Sequence, residues 1–127
     1  MPPPLNRAMA PAPKFRRTFI REHRKREKGL TLERLAERME AIAARRKLNR
    51  HAVITTASGL SMLERGQRRY TQETLEVLAE ALKTDVASLL TRDPSDPESI
   101  WTVWEEAKPG QRRQIVELAK TLIRTGT

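Results

Sequence analysis

Apolar residues recur every three or four positions along most of this chain, and a hydroxyl or carboxylate residue stands just before several of these runs. This spacing places the apolar side chains on one face of an α-helix. A Thr or Asp before such a run can accept a hydrogen bond from an amide of the first turn. The sequence therefore predicts an all-α protein. Because aromatic residues make up only 4% of the chain, its core must consist mainly of Leu, Ile, Val and Ala.

Five helices are predicted between residues 15 and 92. The first covers residues 15–28 and stops at Gly29, since glycine readily adopts the left-handed conformation found at helix C-termini. The second begins after Thr31 and extends to residue 46 or 47. The other three are a helix capped by Thr55 or Thr56 and closed by Gly66, a helix capped by Thr71, and a short helix over residues 85–90.

Both ends of the chain are predicted to differ from this central part. Residues 1–14 are rich in proline and are expected to form a disordered tail. Asp96 before Pro97 favours a helix start, and residues 97–125 are predicted to form a helical hairpin broken at residues 108–110. This hairpin could pack on its own chain, form a dimer, or do both. The expected dimer seam consists of Trp101, Trp104, Leu118 and Leu122.

Several function classes are not expected. The chain has no cysteine, so disulfides and thiolate metal sites are excluded. No apolar run approaches the roughly 20 residues of a membrane span, so a cytoplasmic protein is expected. His23 and His51 stand alone in basic surroundings, and there is no glycine-rich phosphate loop. We therefore expect no enzymatic activity, no metal, no cofactor and no small-molecule effector.

Positive charge is concentrated in one part of the sequence. Residues 1–70 contain 18 Lys and Arg against 6 Asp and Glu, a net charge of +12, whereas the remainder contains 7 against 10, a net charge of −3. A merely soluble surface usually interleaves the two signs. The asymmetry favours a polyanionic partner, and nucleic acid is the simplest one. RNA is less expected than double-stranded DNA, because Tyr70 is the one aromatic residue near the basic region that could stack on bases.

The stretch "TTASGLSMLERGQRRY" at residues 55–70 joins a slim helix to a cationic end. Together with "KGLTLERLAERM" before it and "TQETLEVLAEALKTDVASLL" after it, this stretch resembles the helix-turn-helix domain of the phage repressor and Cro (XRE-type) family. The resemblance covers about residues 15–90. It implies a five-helix, lambda-repressor-like domain whose third helix, about residues 56–65, lies in the DNA major groove.

The resemblance assigns expected roles to particular side chains. Small residues at the start of the third helix allow close approach to base edges. Gly59 within the helix indicates either such an approach or simple tolerance by its packed neighbours. The expected base-reading residues are Thr56, Ala57, Ser58, Gly59 and Met62. The expected DNA-backbone contacts are Thr31, Arg45, Arg46, Lys47, Arg50, Thr55, Arg65, Gln67, Arg68 and Arg69.

Two departures from the family pattern leave alternatives open. Residues 40–54 form an insertion that carries four cations, which either grip the DNA backbone or are solvated in a tolerated surface loop. The family also pairs a basic residue of its first helix with the glutamate of "LERG", here Glu64. One residue too many precedes Gly29, so either Arg24 or Lys25 could fill this structural role.

The sequence thus favours a sequence-specific double-stranded DNA-binding transcriptional regulator in a bacterial or phage-encoded setting, associated with the nucleoid. A repressor that binds a palindromic operator as a homodimer and occludes polymerase is the expected form. The alternative is an antitoxin-like interaction protein that holds a partner through its C-terminal hairpin and represses its own operon.

Overall fold

The computed structural model describes residues 12–126, and these residues form α-helices and no β-strand. The all-α prediction is confirmed for this part of the chain, while residues 1–11 of the predicted tail lie outside it. The helices of residues 12–126 are α1 (Ile20–Arg26), α2 (Leu32–Arg45), α3 (Ala57–Glu64), α4 (Gln72–Ala81), α5 (Val86–Thr91), α6 (Ile100–Glu106) and α7 (Pro109–Thr125).

Three helices begin at predicted capping residues, and α5 has a cap of the same kind that was not predicted. Thr31, Thr56 and Thr71 each accept a hydrogen bond through the side chain from the amide three residues later, and Asp85 does the same at the start of α5. Each cap satisfies one of the amides that a helix N-terminus leaves without an intrahelical partner. Of the two threonines offered for α3, Thr56 is the cap.

The first helix is shorter than predicted, because its expected first turns are extended. Residues 12–19, which we call the N-terminal strap, lie along other elements instead. The amides of Lys14 and Phe15 donate to the carbonyl oxygen of Gly66, and the amide of Phe19 donates to the carbonyl oxygen of Leu89 at 2.7 Å. In a helix that began at residue 15 the Phe19 amide would donate to the Phe15 carbonyl oxygen, but it donates to Leu89 instead, so α1 begins only at Ile20. The predicted tail boundary at residue 14 is likewise too late.

The core lies between α2, α3, α4 and α5. Helix α2 packs against α3 and α4, while α5 packs against α4 and α1. The fully buried large side chains are Ile20, Leu35, Met39, Leu60, Leu63, Leu78, Leu89 and Val77. The buried His23 places Nε2 3.0 Å from the carbonyl oxygen of Ser88 and 2.9 Å from that of Arg92, so Nε2 carries the proton and donates.

The segment between α2 and α3 is fastened to α4. The Thr71 hydroxyl donates to the carbonyl oxygen of Ala52 at 2.8 Å, and the Ile54 amide donates to the buried Thr74 hydroxyl at 3.2 Å. Val53 and Ile54 are themselves buried in the core. The insertion therefore ends in a fixed position directly before α3, and its last residues are part of the core.

The two C-terminal helices are less buried than the rest. Helix α6 begins at Ile100 rather than at Pro97. Residues 96–99 form a separate turn, in which the Ser99 amide donates to the Asp96 carbonyl oxygen and the Glu98 amide donates to the Asp96 carboxylate. Helix α7 begins at Pro109, as the predicted break implies, and ends before Gly126. The Arg26–Glu105 ion pair, 3.4 Å long, connects α6 with α1. No residue of α6 or α7 is fully buried.

Candidate functional site

One side of α3 faces away from the core. Leu60 and Leu63 point inward and are buried, whereas Ser58 and Arg65 are exposed and Met62 is 40% exposed. The exposed residues are spaced by four and three positions, so they share one helix face. Thr56 is exposed at the start of this face, and Ala57 and Thr55 are half-buried beside it. The structure thus presents most of the predicted base-reading residues to solvent.

Gly59 is an exception among these residues. Its position contradicts the interpretation that this glycine allows a close approach to DNA. It is buried, and a Cβ atom at this position would lie 2.7 Å from Ile54 Cγ2 and 2.9 Å from the capping Thr56 Oγ1. Such distances are far inside van der Waals contact. Packing within the chain therefore explains the glycine, and Gly59 is not part of the outward face of α3.

Cations gather at the C-terminal end of α3. Arg65, Arg68 and Arg69 are exposed, and none of them forms an ion pair with an acidic residue in the described part of the chain. The Arg65 Nε atom donates to the carbonyl oxygen of Ser61 at 3.3 Å. The Arg68 guanidinium reaches back to the first turn of the helix, since its Nη1 atom lies 2.7 Å from the position of a Gly59 Cβ. Positive charge therefore extends along α3.

The acidic residue of α3 is turned away from this face. Arg24 of α1 holds the Glu64 carboxylate with two bonds, 2.7 Å from Nε to Oε2 and 3.1 Å from Nη2 to Oε1. The side chains are 13% and 6% exposed. The Glu64 hydrogen bond raises the pKa of Arg24 above its ordinary value. Of the two predicted candidates, Arg24 makes the pair and Lys25 is exposed.

Three of the four cations of the insertion have acidic partners. Arg45 pairs with Glu80, Arg46 lies 3.8 Å from Glu76, and Arg50 lies 3.9 Å from Glu40. The first two contacts fasten the end of α2 to α4. Lys47 has no such pair among the described residues and adopts a positive φ of 56° at the end of α2. The ion pairs favour the tolerated surface loop over the DNA-gripping alternative, and exposed pairs of this kind are individually weak.

The remaining predicted contacts lie at the edges of this surface. Thr31 is exposed and caps α2 by accepting the Arg34 amide. Gln67 donates through Nε2 to the carbonyl oxygen of Ala12 at 2.7 Å, which connects the end of α3 to the N-terminal strap. The strap cations Lys14 and Arg16 were not predicted as site residues, because their positions were assigned to a tail and a helix. No signal in the sequence indicates that they lie next to Gly66.

The predicted dimer seam divides into two parts. Arg92 stacks on the Trp101 ring at 4.0 Å, and Arg112 stacks on the Trp104 ring at 5.3 Å while donating to the Trp104 carbonyl oxygen. These tryptophans therefore have partners within the chain. In contrast, Leu118 is 66% exposed and Leu122 is 50% exposed. An open groove of about 510 Å³ runs beside Leu118 between α6 and α7.

Within residues 12–126, no group of three or more His, Asp or Glu side chains is arranged to hold a metal ion. Over the same range, no helix combines the length and the apolar character needed to cross a membrane. Comparison with protein-family models, with curated proteins and with solved structures finds no match to this chain.

Proposed function

We propose that this protein is a sequence-specific double-stranded DNA-binding transcriptional regulator, with helices α1–α5 forming a lambda-repressor-like helix-turn-helix domain of the phage repressor and Cro type. In this proposal α2 and α3 are the helix-turn-helix pair, and α3 enters the major groove. A helix of this kind fits the roughly 12 Å width of the groove when its leading face is slim.

The observation that carries the proposal is the outward face of α3. Ser58, Met62 and Arg65 share that face, and it displays no carboxylate, because Glu64 is held by Arg24. Carboxylates on this face would be repelled by the phosphates, so their absence favours the approach of α3 to DNA. Arg68 and Arg69, which have no acidic partner among residues 12–126, follow directly after it.

The proposed division of roles follows from side-chain chemistry. Thr56, Ala57, Ser58 and Met62 contact base edges, where a serine hydroxyl bonds to several bases and apolar groups touch thymine methyls. Arg65, Arg68 and Arg69 bind phosphates and set the position of α3 in the groove. Ser and Met offer few base-specific bonds, so sequence-dependent DNA shape contributes a large part of the specificity.

Self-association through α7 completes the proposal. Leu118 and Leu122 are exposed on α7 at a spacing of one helical turn. In the proposed dimer both side chains are buried at this face, and each copy of α3 serves one of two half-sites about 34 Å apart on one side of the duplex. Binding to a palindromic operator within a promoter would then exclude polymerase.

Selection of duplexes from a random library, followed by titration of the full chain, tests this function. We expect binding to a selected duplex to be at least about 1,000-fold tighter than binding to a scrambled duplex at the same salt concentration. Equal affinity for both duplexes would refute sequence-specific recognition. The absence of any binding to duplex DNA at low salt would refute the whole proposal.

A matched pair of variants tests the role of α3 itself. Ser58→Ala alters the exposed face, whereas Ser61→Ala alters a half-buried residue of the same helix. We expect Ser58→Ala to change the preferred bases in a repeated selection, and Ser61→Ala to leave them unchanged. Unchanged preferences for both variants would remove Ser58 from the base-reading set.

A further inference from the structure

The N-terminal strap carries a second cationic surface that the sequence does not disclose. Resting on the proposed function, we propose that the strap is an additional DNA-backbone-binding element, in which Lys14 and Arg16 contact phosphates beside the end of α3. The partner is the same duplex that α3 enters, and the ligand chemistry is the phosphodiester row.

The strap is anchored at the end of α3 by backbone bonds. The Gly66 carbonyl oxygen accepts the Lys14 amide at 2.9 Å and the Phe15 amide at 3.1 Å. Gln67 adds the bond from Nε2 to the Ala12 carbonyl oxygen, 2.7 Å long. Residues 12–15 are therefore held against the two residues that follow Arg65.

Gly66 also provides the space in which the strap lies. A Cβ atom at Gly66 would lie 3.1 Å from Pro13 Cβ and 3.2 Å from the Phe15 carbonyl oxygen. The residue has a φ of +71°, which a residue with a side chain rarely adopts. The same glycine thus ends the proposed recognition helix and accommodates the strap, so the two elements have a defined relative position.

The charges on the strap are available to a ligand. Lys14 and Arg16 are exposed and form no ion pair with a described acidic residue, whereas Arg17 pairs with Glu22 at 3.1 Å. Close to Gly66 in the sequence, the three arginines at the end of α3 likewise have no acidic partner within residues 12–126. Two neighbouring segments thus carry cations without acidic partners, and an extended anion would offset their repulsion. A phosphodiester backbone supplies a regular row of such charges.

The anchoring explains why these two cations can add affinity. A disordered basic tail loses conformational entropy when it binds, and that loss offsets part of the electrostatic gain. The strap is already ordered by its bonds to Gly66 and Gln67, so Lys14 and Arg16 lose mainly side-chain freedom. The insertion offers a contrast, because its arginines 45, 46 and 50 must first exchange their acidic partners.

The salt dependence of duplex binding tests the strap. Each phosphate that the protein no longer binds lowers the slope of log K against log salt concentration by about 0.9. We expect Lys14→Ala/Arg16→Ala to lower the slope by about 1.8, with equal weakening on selected and scrambled duplexes. The control Arg113→Ala/Arg124→Ala removes the same charge from α7 and should leave the slope unchanged. Thermal melts of both variants should match the wild type, since all four side chains are exposed.

The outcomes separate the two proposals. If the wild-type chain binds no duplex, the proposed function itself is overturned. If the wild type binds and Lys14→Ala/Arg16→Ala retains the full slope, the strap does not bind phosphate and the inference is wrong. An equal fall in slope for the control variant would also overturn it, because the effect would then belong to net charge rather than to the strap.

Discussion

Arg24 of α1 and Glu64 of α3 form a two-bonded ion pair across 40 residues of sequence, with 2.7 Å between Nε and Oε2. Arg24 also donates through Nη1 to the Leu30 carbonyl oxygen at 3.0 Å, so one side chain holds α1, the turn before α2, and α3. The pair fixes the end of α3 and removes its negative charge from the outward face. The pair therefore contributes to the stability of the domain and keeps the exposed surface of α3 free of negative charge.

Replacement of Arg24 should therefore be costly. Arg24→Ala leaves the Glu64 carboxylate, only 6% exposed, without its partner. Breaking a largely buried pair in this way costs about 3–5 kcal/mol. Urea unfolding measures the loss, and Lys25→Ala, at an exposed neighbour, should stay within about 0.5 kcal/mol of the wild type. Equal stability of the two variants would show that the pair contributes nothing.

Gly59→Ala should lower stability although alanine favours helices. The helix propensity gains about 1 kcal/mol, but the new Cβ would lie 2.7 Å from Ile54 Cγ2 in the core, and overpacking costs about 1–3 kcal/mol. A lower melting temperature is expected. Gly110→Ala is the matched control, since nothing lies within 4 Å of its Cβ position. A higher melting temperature for Gly59→Ala would show that the helix start has room for a side chain.

The cap of α5 predicts a pH dependence. The Ser88 amide lowers the pKa of the Asp85 carboxyl below its ordinary value of 3.8. The ionised carboxylate therefore stabilises the fold above the unfolded-state pKa, and this contribution is lost as the pH falls through the lower folded-state pKa. Asn keeps the cap without a titrating group. Between about pH 5 and pH 3 the wild type should lose more stability than Asp85→Asn does.

This difference should be below about 1 kcal/mol, because Asp85 is exposed and its interactions are screened by solvent. Urea unfolding at the two pH values measures it. Identical losses in the two proteins would contradict the role of the ionised carboxylate. Asp85→Ala, which removes the cap as well, should cost about 1 kcal/mol at neutral pH.

The proposed phosphate role of the residues after α3 predicts that their replacement weakens binding to all duplex DNA. Arg68→Ala/Arg69→Ala should weaken binding to every duplex and lower the salt slope by about 1.8. Arg45→Ala/Arg50→Ala is the informative comparison, since these cations already have acidic partners. We expect it to change the slope less. A larger change in slope for this second variant would indicate that the insertion does contact the DNA backbone.

The proposed self-association through α7 predicts that charges introduced at its leucines prevent dimerisation. Leu118→Glu/Leu122→Glu should produce a monomer in sedimentation experiments without loss of helix content, because both leucines are exposed. Lys120→Glu/Arg124→Glu places two carboxylates on another side of the same helix and should leave the assembly unchanged. A wild-type chain that sediments as a monomer at all concentrations would contradict dimerisation through this face.

The helix starts were the most predictable part of the fold. Thr31 and Thr71 cap helices as expected, and α5 starts one residue after its predicted start, because a cap and an apolar face act over a few neighbouring residues. The predicted start of α1 was wrong for the opposite reason. The Phe19 amide, which would close the first turn of the predicted helix, donates to Leu89, about 70 residues away, and no local pattern reveals such a partner.

In the candidate site, too, features set by neighbouring residues were predictable, whereas features set by residues far along the chain were not. Periodicity correctly turns Leu60 and Leu63 inward, and Ser58, which the family resemblance placed on the DNA-facing side, is exposed. Periodicity could not show that Gly59 has no room for a side chain, because the obstructing atom belongs to Ile54, outside the helix. Likewise, the acidic partner of Arg45 lies 35 residues further along the chain, on α4, so the sequence reveals the cation without its neutralising carboxylate.

The bond from the Ile54 amide to the Thr74 hydroxyl limits how the loop before α3 can be re-engineered. Ile54 also packs against Gly59, so shortening the chain at residues 52–54 would shift the register of the whole helix that follows. Deletions or grafted peptides should be tolerated only upstream of Ala52, among the exposed residues 49–51.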